Sequence, residues 1–174
     1  MKKIQTALIS VSDKKNLKPL LNSLKKNNIK IISSGGTYKE IKKLKFKCLE
    51  VSEFTNSPEI LEGRVKTLHP KIHAGILNKR KNKTHLKDLK KNNFENIDLV
   101  IVNFYPFEET LKNTKNHNKI IENIDVGGPT MVRSAAKNYH DVTIITSSDQ
   151  YKELIDELKK NKGSTSLEFR EKLS

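Results

Sequence analysis

The chain has 174 residues, with 34 lysines and arginines against 20 aspartates and glutamates and a formal net charge of +14. This length predicts one domain with a real core, and regularly spaced apolar runs such as 99–102 exclude a disordered chain. The charge does not indicate nucleic-acid binding, because the lysines are scattered along the chain and are not interleaved with aromatic residues on one element. No apolar stretch is long enough to span a membrane, so we expect a cytoplasmic protein.

Strand and helix patterns alternate along the chain. Buried strands are predicted at 6–11, 29–33, 47–51, 98–104 and 142–146. Helices are predicted after each of the first two strands, at about 84–92, once or twice before residue 123, from residue 127, and in the final region. The stretch 52–77 has no regular pattern and is long for a connection, which favours a functional role. The alternation predicts a three-layer α/β/α fold with a mainly parallel sheet, whose ligands bind beyond the carboxyl ends of the strands.

Two segments at those carboxyl ends are typical of anion-binding turns. Ser12 or Asp13 can cap the first helix, with Lys14 next to them. The second segment, residues 34–37, has the sequence Ser-Gly-Gly-Thr and leads into the second helix. Free amides and the helix dipole attract anions at a helix start, so the two turns predict a phosphate cradle. A tight turn with a serine cap would produce the same pattern.

Arginine is scarce, and the guanidinium groups that remain are informative. The chain has only four, at Arg64, Arg80, Arg133 and Arg170. A guanidinium binds phosphate or carboxylate through two parallel hydrogen bonds, which lysine cannot do. In an extended segment Arg64 and Lys66 would share one face, with Thr67 beside them, and would grip an anion. The alternative is a solvated basic strand.

Two further segments fall at the same predicted edge. Asn103 and Tyr105 follow the fourth predicted strand, and Asp125 precedes a helix that begins Gly-Gly-Pro and places Arg133 and Lys137 one turn apart. Each residue also has a structural interpretation, as a turn former, a core aromatic, a helix cap or a solvated base.

The histidines and the cysteine do not indicate a metal or redox site. His69 and His73 are four apart, but no third ligand lies at diagnostic spacing, so we expect no metal. Cys48 is the only cysteine, which excludes an intrachain disulfide, and its apolar neighbours favour a buried residue.

Five stretches in unbroken order resemble the inosine monophosphate (IMP) cyclohydrolase domain, the methylglyoxal-synthase-like N-terminal part of the bifunctional purine biosynthesis enzyme. They are 10–14 (SVSDK), 34–37 (SGGT), 63–77 (GRVKTLHPKIHAGIL), 98–107 (DLVIVNFYPF) and 125–138 (DVGGPTMVRSAAKN). The resemblance implies that residues 1–174 form a single cyclohydrolase-like domain, apparently truncated at its C-terminal end and without the family's transformylase domain. It also implies a homodimer, a nucleotide substrate supplied by a transformylase domain or protein, and no cofactor. Phe104 stands where the family usually has leucine.

The resemblance also implies residue roles in closing the purine ring of 5-formamidoimidazole-4-carboxamide ribonucleotide. Lys66 would stabilise the developing oxyanion, and Lys137 would move protons with Asp125; Tyr105 completes the catalytic set. The sequence leaves open whether Lys137 is neutral, as a base must be, or charged through pairing with Asp125. The implied substrate-binding residues are Ser12, Asp13, Lys14, Ser34, Gly35, Gly36, Thr37, Arg64, Val65, Thr67, Val102, Asn103 and Val126.

Two other functions remain open. A methylglyoxal-synthase-like lyase would share the phosphate loop, but it carries Asp-Pro where this chain has Tyr105 and Pro106. A non-catalytic nucleotide- or phosphate-binding regulatory module, like the related domain of carbamoyl phosphate synthetase, would not need Arg64, Lys66 and Lys137 together.

Overall fold

The computed structural model describes residues 1–104 and 107–174, so the predictions for Tyr105 and Pro106 lie outside the described residues. Its centre is a sheet of five parallel strands in the order β4-β3-β2-β5-β6. These strands are β2 (Thr6–Val11), β3 (Lys30–Ser33), β4 (Leu49–Glu50), β5 (Leu99–Asn103) and β6 (Thr143–Ile145). A separate antiparallel pair joins β1 (Lys2–Lys3) to β7 (Ser164–Thr165).

Ten helices connect and cover the strands in the described part of the chain. They are α1 (Leu17–Lys26), α2 (Gly35–Lys43), α3 (Val51–Thr55), α4 (Pro70–Leu77), α5 (Lys83–Lys91), α6 (Phe107–Asn113), α7 (His117–Glu122), α8 (Gly127–Lys137), α9 (Tyr151–Lys160) and α10 (Leu167–Leu173). Among the residues described, no helix combines the length and the apolar character needed to cross a bilayer.

Both faces of the sheet are covered. Successive side chains of a strand point to opposite faces, and along β2 Ala7 and Ile9 pack with α1 and α9, whereas Leu8 packs with α3, α4 and α8. Burial on both faces explains why β5 begins with four successive apolar residues and why β2 has three, Ala7 to Ile9, with no alternation of polar side chains. The predicted three-layer α/β/α architecture with a parallel sheet is confirmed.

The stretch predicted to be irregular, 52–77, is more ordered than expected. It contains most of α3, a short 3₁₀ turn at Leu61–Gly63, and α4. Helix α4 begins at Pro70, whose fixed backbone suits the first helical position, and His69 Nδ1 accepts a hydrogen bond from the Lys71 amide at 3.1 Å. Strand β4 is shorter than predicted, with two residues at the edge of the sheet and β3 as its partner.

A buried arginine fastens the C-terminal helix to the rest of the fold. Arg170 is 2% exposed, and its guanidinium donates to the carbonyl oxygens of Thr165 (2.7 Å), Tyr139 (2.8 Å) and His140 (3.1 Å). Burial lowers its pKa. Arg170 therefore ties α10 to the turn that follows α8.

Candidate functional site

A cleft of about 580 Å³ opens at the carboxyl edge of the sheet. Ser10, near the end of β2, and Ser34, at the end of β3, contribute to its lining. One wall is the segment 62–67, and the other runs from the end of α7 to the start of α8, residues 121–128. This position is the one the sequence predicts for a ligand site.

The start of α2 combines free backbone amides with two ammonium groups. Ser34 precedes the helix, and its hydroxyl makes no capping hydrogen bond to the helix start. Lys66 Nζ lies 3.7 Å from the point where a Cβ at Gly35 would stand, and Lys14 Nζ lies 4.0 Å from the equivalent point at Gly36. The first amides of a helix have no partner within it, so the site suits a phosphate. The structure thus brings Lys14, Ser34, Gly35 and Gly36 together, and their phosphate role stays a prediction.

The loop between β2 and α1 is held from two sides. Asn103 Oδ1 accepts hydrogen bonds from the amides of Ser12 (2.6 Å) and Asp13 (2.9 Å), and its Nδ2 donates to the Asp13 carbonyl at 2.9 Å. The Asp13 carboxylate accepts from the Lys15 amide and from the Ser148 hydroxyl, which lower its pKa. The hydrogen bonds of Asn103 and Asp13 shape the loop, and the predicted contacts of both residues with substrate stay predictions.

Three other predicted ligands are engaged away from the cleft. The Thr37 hydroxyl accepts from the Val11 amide at 3.0 Å and donates to the Val11 carbonyl at 2.8 Å, which fastens α2 to β2. Val102 is 1% exposed and packs in the core beneath α8. Val65 pairs through its backbone with Ile60. The Val102 side chain lies in the core, so only its backbone could contact a substrate, and its binding role stays a prediction.

Arg64 bridges the cleft. It follows the 3₁₀ turn with helical backbone angles (φ −64°, ψ −28°), so the expected extended segment with Arg64 and Lys66 on one face is not found. Its guanidinium pairs with the Glu122 carboxylate through two hydrogen bonds, and this pairing raises the pKa of Arg64. Because Glu122 ends α7, the pair joins the two walls.

Lys66 and Thr67 lie at the inner end of the same wall. Lys66 Nζ is 3.3 Å from Glu59 Oε1, and Lys66 also lines an adjoining chamber of about 220 Å³. Thr67 is 5% exposed, and its Oγ1 lies 2.5 Å from the point where a Cβ at Gly127 would stand. The glycine therefore lets this wall touch the start of α8.

The start of α8 faces the cleft, but its end does not. Asp125 Oδ1 accepts a hydrogen bond from the Gly128 amide at 2.9 Å, and Val126 is 56% exposed at the cleft wall. Lys137 is the last residue of α8. Nine residues after Gly128, it lies about 14 Å further along the axis at a rise of about 1.5 Å per residue. Within this chain Lys137 does not pair with Asp125, one of the two possibilities that the sequence left open, and the proton-transfer role of Lys137 stays a prediction.

The similarity of the chain to known proteins agrees with the fold described above. Residues 16–130 match the family model of the MGS-like domain. The chain belongs to the MGS-like domain family. The resemblance inferred from the five stretches is confirmed, and residues 135–174 match a second model, that of the AICARFT/IMPCHase bienzyme.

This MGS-like domain is similar to part of longer proteins. The bifunctional purine biosynthesis protein PurH of Prochlorococcus marinus subsp. pastoris is 54% identical over 155 residues, which are 88% of this chain and 30% of that protein. PurH of Bradyrhizobium diazoefficiens is 44% identical over 173 residues, 99% of this chain and 33% of that protein. The chain thus spans about a third of the length of these relatives. The crystal structure of ForH superposes with a TM-score of 0.85 at 29% identity, covering 98% of this chain and 89% of that one.

Several cleft residues of the MGS-like domain were missed from the sequence. Ser10 and Met131 line the cleft, and Glu59 and Glu122 pair with its two cations. Ser10 lies inside the matched stretch SVSDK, so its position was available as a signal. The two glutamates pair with residues distant in sequence or across a turn, for which no local pattern exists.

The other titratable side chains that the structure describes do not indicate a metal or thiol centre. Among those side chains, no group of three or more His, Cys, Asp or Glu residues could hold a metal ion. His73 Nδ1 contacts the Ser134 hydroxyl at 3.2 Å between α4 and α8, and burial lowers the pKa of His73. Burial also raises the pKa of Cys48 to about 12, opposite to the shift of a reactive thiol.

Proposed function

We propose that this MGS-like domain closes the purine ring of 5-formamidoimidazole-4-carboxamide ribonucleotide, giving IMP and water. The carboxamide nitrogen attacks the formyl carbon, a C–N bond forms, and the formyl oxygen leaves as water. The observation that carries the proposal is the position of Lys66, whose ammonium group lies between the start of α2 and the large cleft. The PurH relatives, named for purine biosynthesis, support this choice of substrate.

The two parts of the nucleotide fit different parts of the site. The phosphate would bind at the start of α2, where unpaired amides and the Lys14 ammonium favour a dianion. The base would occupy the cleft between Arg64 and Val126, whose volume of about 580 Å³ suits a small-molecule ligand.

Orientation of the reacting groups and stabilisation of the developing charge would supply the rate enhancement. Holding the carboxamide against the formyl group contributes up to about 7–11 kcal/mol. Lys66 would stabilise the oxyanion that develops on the formyl oxygen, and Asp125, an exposed carboxylate at the cleft wall, would take the proton from the attacking nitrogen. Tyr105 keeps its predicted catalytic role.

The test is to mix the purified chain with the formamido ribonucleotide and to follow the absorbance change as IMP forms. Lys66→Ala should reduce turnover by ~10²-fold or more, the usual loss for an oxyanion group. Lys26→Ala, an exposed lysine at the end of α1, is the matched control and should leave turnover unchanged. A folded chain that leaves the ribonucleotide unchanged but forms methylglyoxal from dihydroxyacetone phosphate would overturn the proposal in favour of the lyase.

Lys137→Ala tests the predicted proton transfer separately. Because Lys137 ends α8 far from the cleft, a chain that acts alone should keep near wild-type turnover without it. A loss of ~10²-fold would support the predicted proton-transfer role and would require a second copy to bring Lys137 to the nucleotide. The homodimer, the transformylase partner and the cytoplasmic location stay predictions from the family resemblance.

A further inference from the structure

The turn at residues 61–63 has an unusual backbone. Leu61, Glu62 and Gly63 all have left-handed φ values, 53°, 54° and 91°. A positive φ is rare for a bulky side chain such as leucine, because Cβ approaches the backbone, and such strain persists only where surrounding contacts hold it. The turn therefore needs stabilising contacts between the two segments that flank it, next to the cleft.

These stabilising contacts are two backbone hydrogen bonds and an ion pair. The Ile60 amide donates to the Val65 carbonyl at 3.2 Å, and the Val65 amide donates back at 3.4 Å. The next pair outward, Glu59 and Lys66, is joined by the contact of 3.3 Å between Oε1 and Nζ. A Cβ at Gly63 would lie 3.1 Å from Lys66 Nζ and would collide with the Glu59 carboxylate, so a glycine at this position makes the pair possible.

We propose that Glu59 is a positioning residue that holds the Lys66 ammonium over the start of α2. Glu59 lines the smaller chamber and not the large cleft, whereas Lys66 lines both. Glu59 therefore acts on chemistry in the large cleft through Lys66. This proposal rests on the proposed function, which places the reacting formyl group beside Lys66.

Kinetics separate positioning from a purely structural role. Glu59→Gln should lower kcat on the order of 10-fold, because a misplaced group loses orientation. KM should stay within about twofold, because two effects oppose each other: a less fixed Lys66 binds the phosphate less well, whereas loss of the Glu59 charge removes a repulsion of the phosphate. Glu53→Gln, an exposed acid on α3 outside both chambers, is the matched control and should change neither constant. Glu59→Asp should restore part of the lost kcat.

A double-mutant cycle and a labelling experiment complete the test. In a Lys66→Ala background, Glu59→Gln should cause no further loss of kcat; a full additional loss, or wild-type kcat for Glu59→Gln alone, would overturn the proposal. Trace acetylation with acetic anhydride, read by mass spectrometry, needs no turnover. In Glu59→Gln the labelling rate of Lys66 should rise about two- to fivefold relative to Lys14, the range expected for loss of an exposed ion pair. An unchanged ratio of Lys66 to Lys14 labelling would refute the positioning of Lys66 by Glu59. Absence of ring closure in the wild type would refute only the proposed function.

Discussion

Replacing Arg170 by methionine should destabilise the domain strongly. The methionine keeps much of the length and apolar contact of the side chain but removes hydrogen bonds to three carbonyl oxygens, one of them fully buried. Leaving the buried Thr165 carbonyl without a donor costs about 1–3 kcal/mol, and each part-buried bond contributes about 0.5–1.5 kcal/mol. At the middle of these ranges the sum is about 4 kcal/mol, a large share of a stability of about 5–15 kcal/mol.

Urea unfolding followed by circular dichroism measures this loss. With a slope of about 2 kcal/mol per molar for a chain of this size, the midpoint should fall by about 2 M. Lys172→Met on the same helix removes an exposed pair with Glu153, so its midpoint should change by less than about 0.3 M. Arg170→Lys should also be destabilised, because lysine lacks the planar fork that reaches several carbonyls. A midpoint for Arg170→Met within 0.3 M of the wild type, by the same estimate, would refute the structural role argued for the guanidinium.

Three further outcomes are expected. Gly63→Ala should cost about 1–3 kcal/mol of unfolding free energy, measured in urea, because φ is +91° and the added Cβ collides with the Glu59 carboxylate; wild-type stability would contradict the turn geometry. Asn103→Leu should raise KM about tenfold with a smaller change in kcat, since three hydrogen bonds to the β2–α1 loop, which carries Lys14, are lost. An unchanged KM would count against a contribution of this loop to phosphate binding at the start of α2. Burial lowers the pKa of His73 in the folded chain, so as pH falls through 6.5 the unfolded chain binds a proton first and the free energy of unfolding should decrease. His73→Gln should flatten this pH dependence between pH 7.5 and 5.5. An equal slope in both proteins would refute the role of His73.

Local patterns predicted the sheet and its ligand edge well. The strand predicted at 6–11 matches β2, Thr6–Val11, because a strand buried on both faces is mostly apolar and lacks the alternation of a half-exposed strand. Helix α4 was missed, since its eight residues are too few to show a clear helical period and they begin at a proline. Its starting signal, Pro70 after a capping residue, was nevertheless present in the sequence.

Contacts between distant residues could not be predicted in the same way. Arg64 meets Glu122 and Arg80 meets the Ile97 carbonyl, at sequence separations that leave no periodic trace. The scarcity of arginine was the useful signal for such contacts. Arg64, Arg80 and Arg170 each use the planar guanidinium to join separate segments. The hydrogen bonds of Asn103 to the β2–α1 loop could not be predicted for a related reason: they join neighbouring strands, and only the order of the strands determines that neighbour.

The double support of the β2–α1 loop has a thermodynamic consequence. Asn103 and Ser148 hold the loop from the ends of two other strands, so its backbone is already ordered before a nucleotide binds. A loop that must order on binding costs conformational entropy, and that cost is subtracted from the affinity. Here the cost was met during folding, so phosphate binding should show only a small entropy penalty, and calorimetry of Asn103→Leu should show that penalty increase.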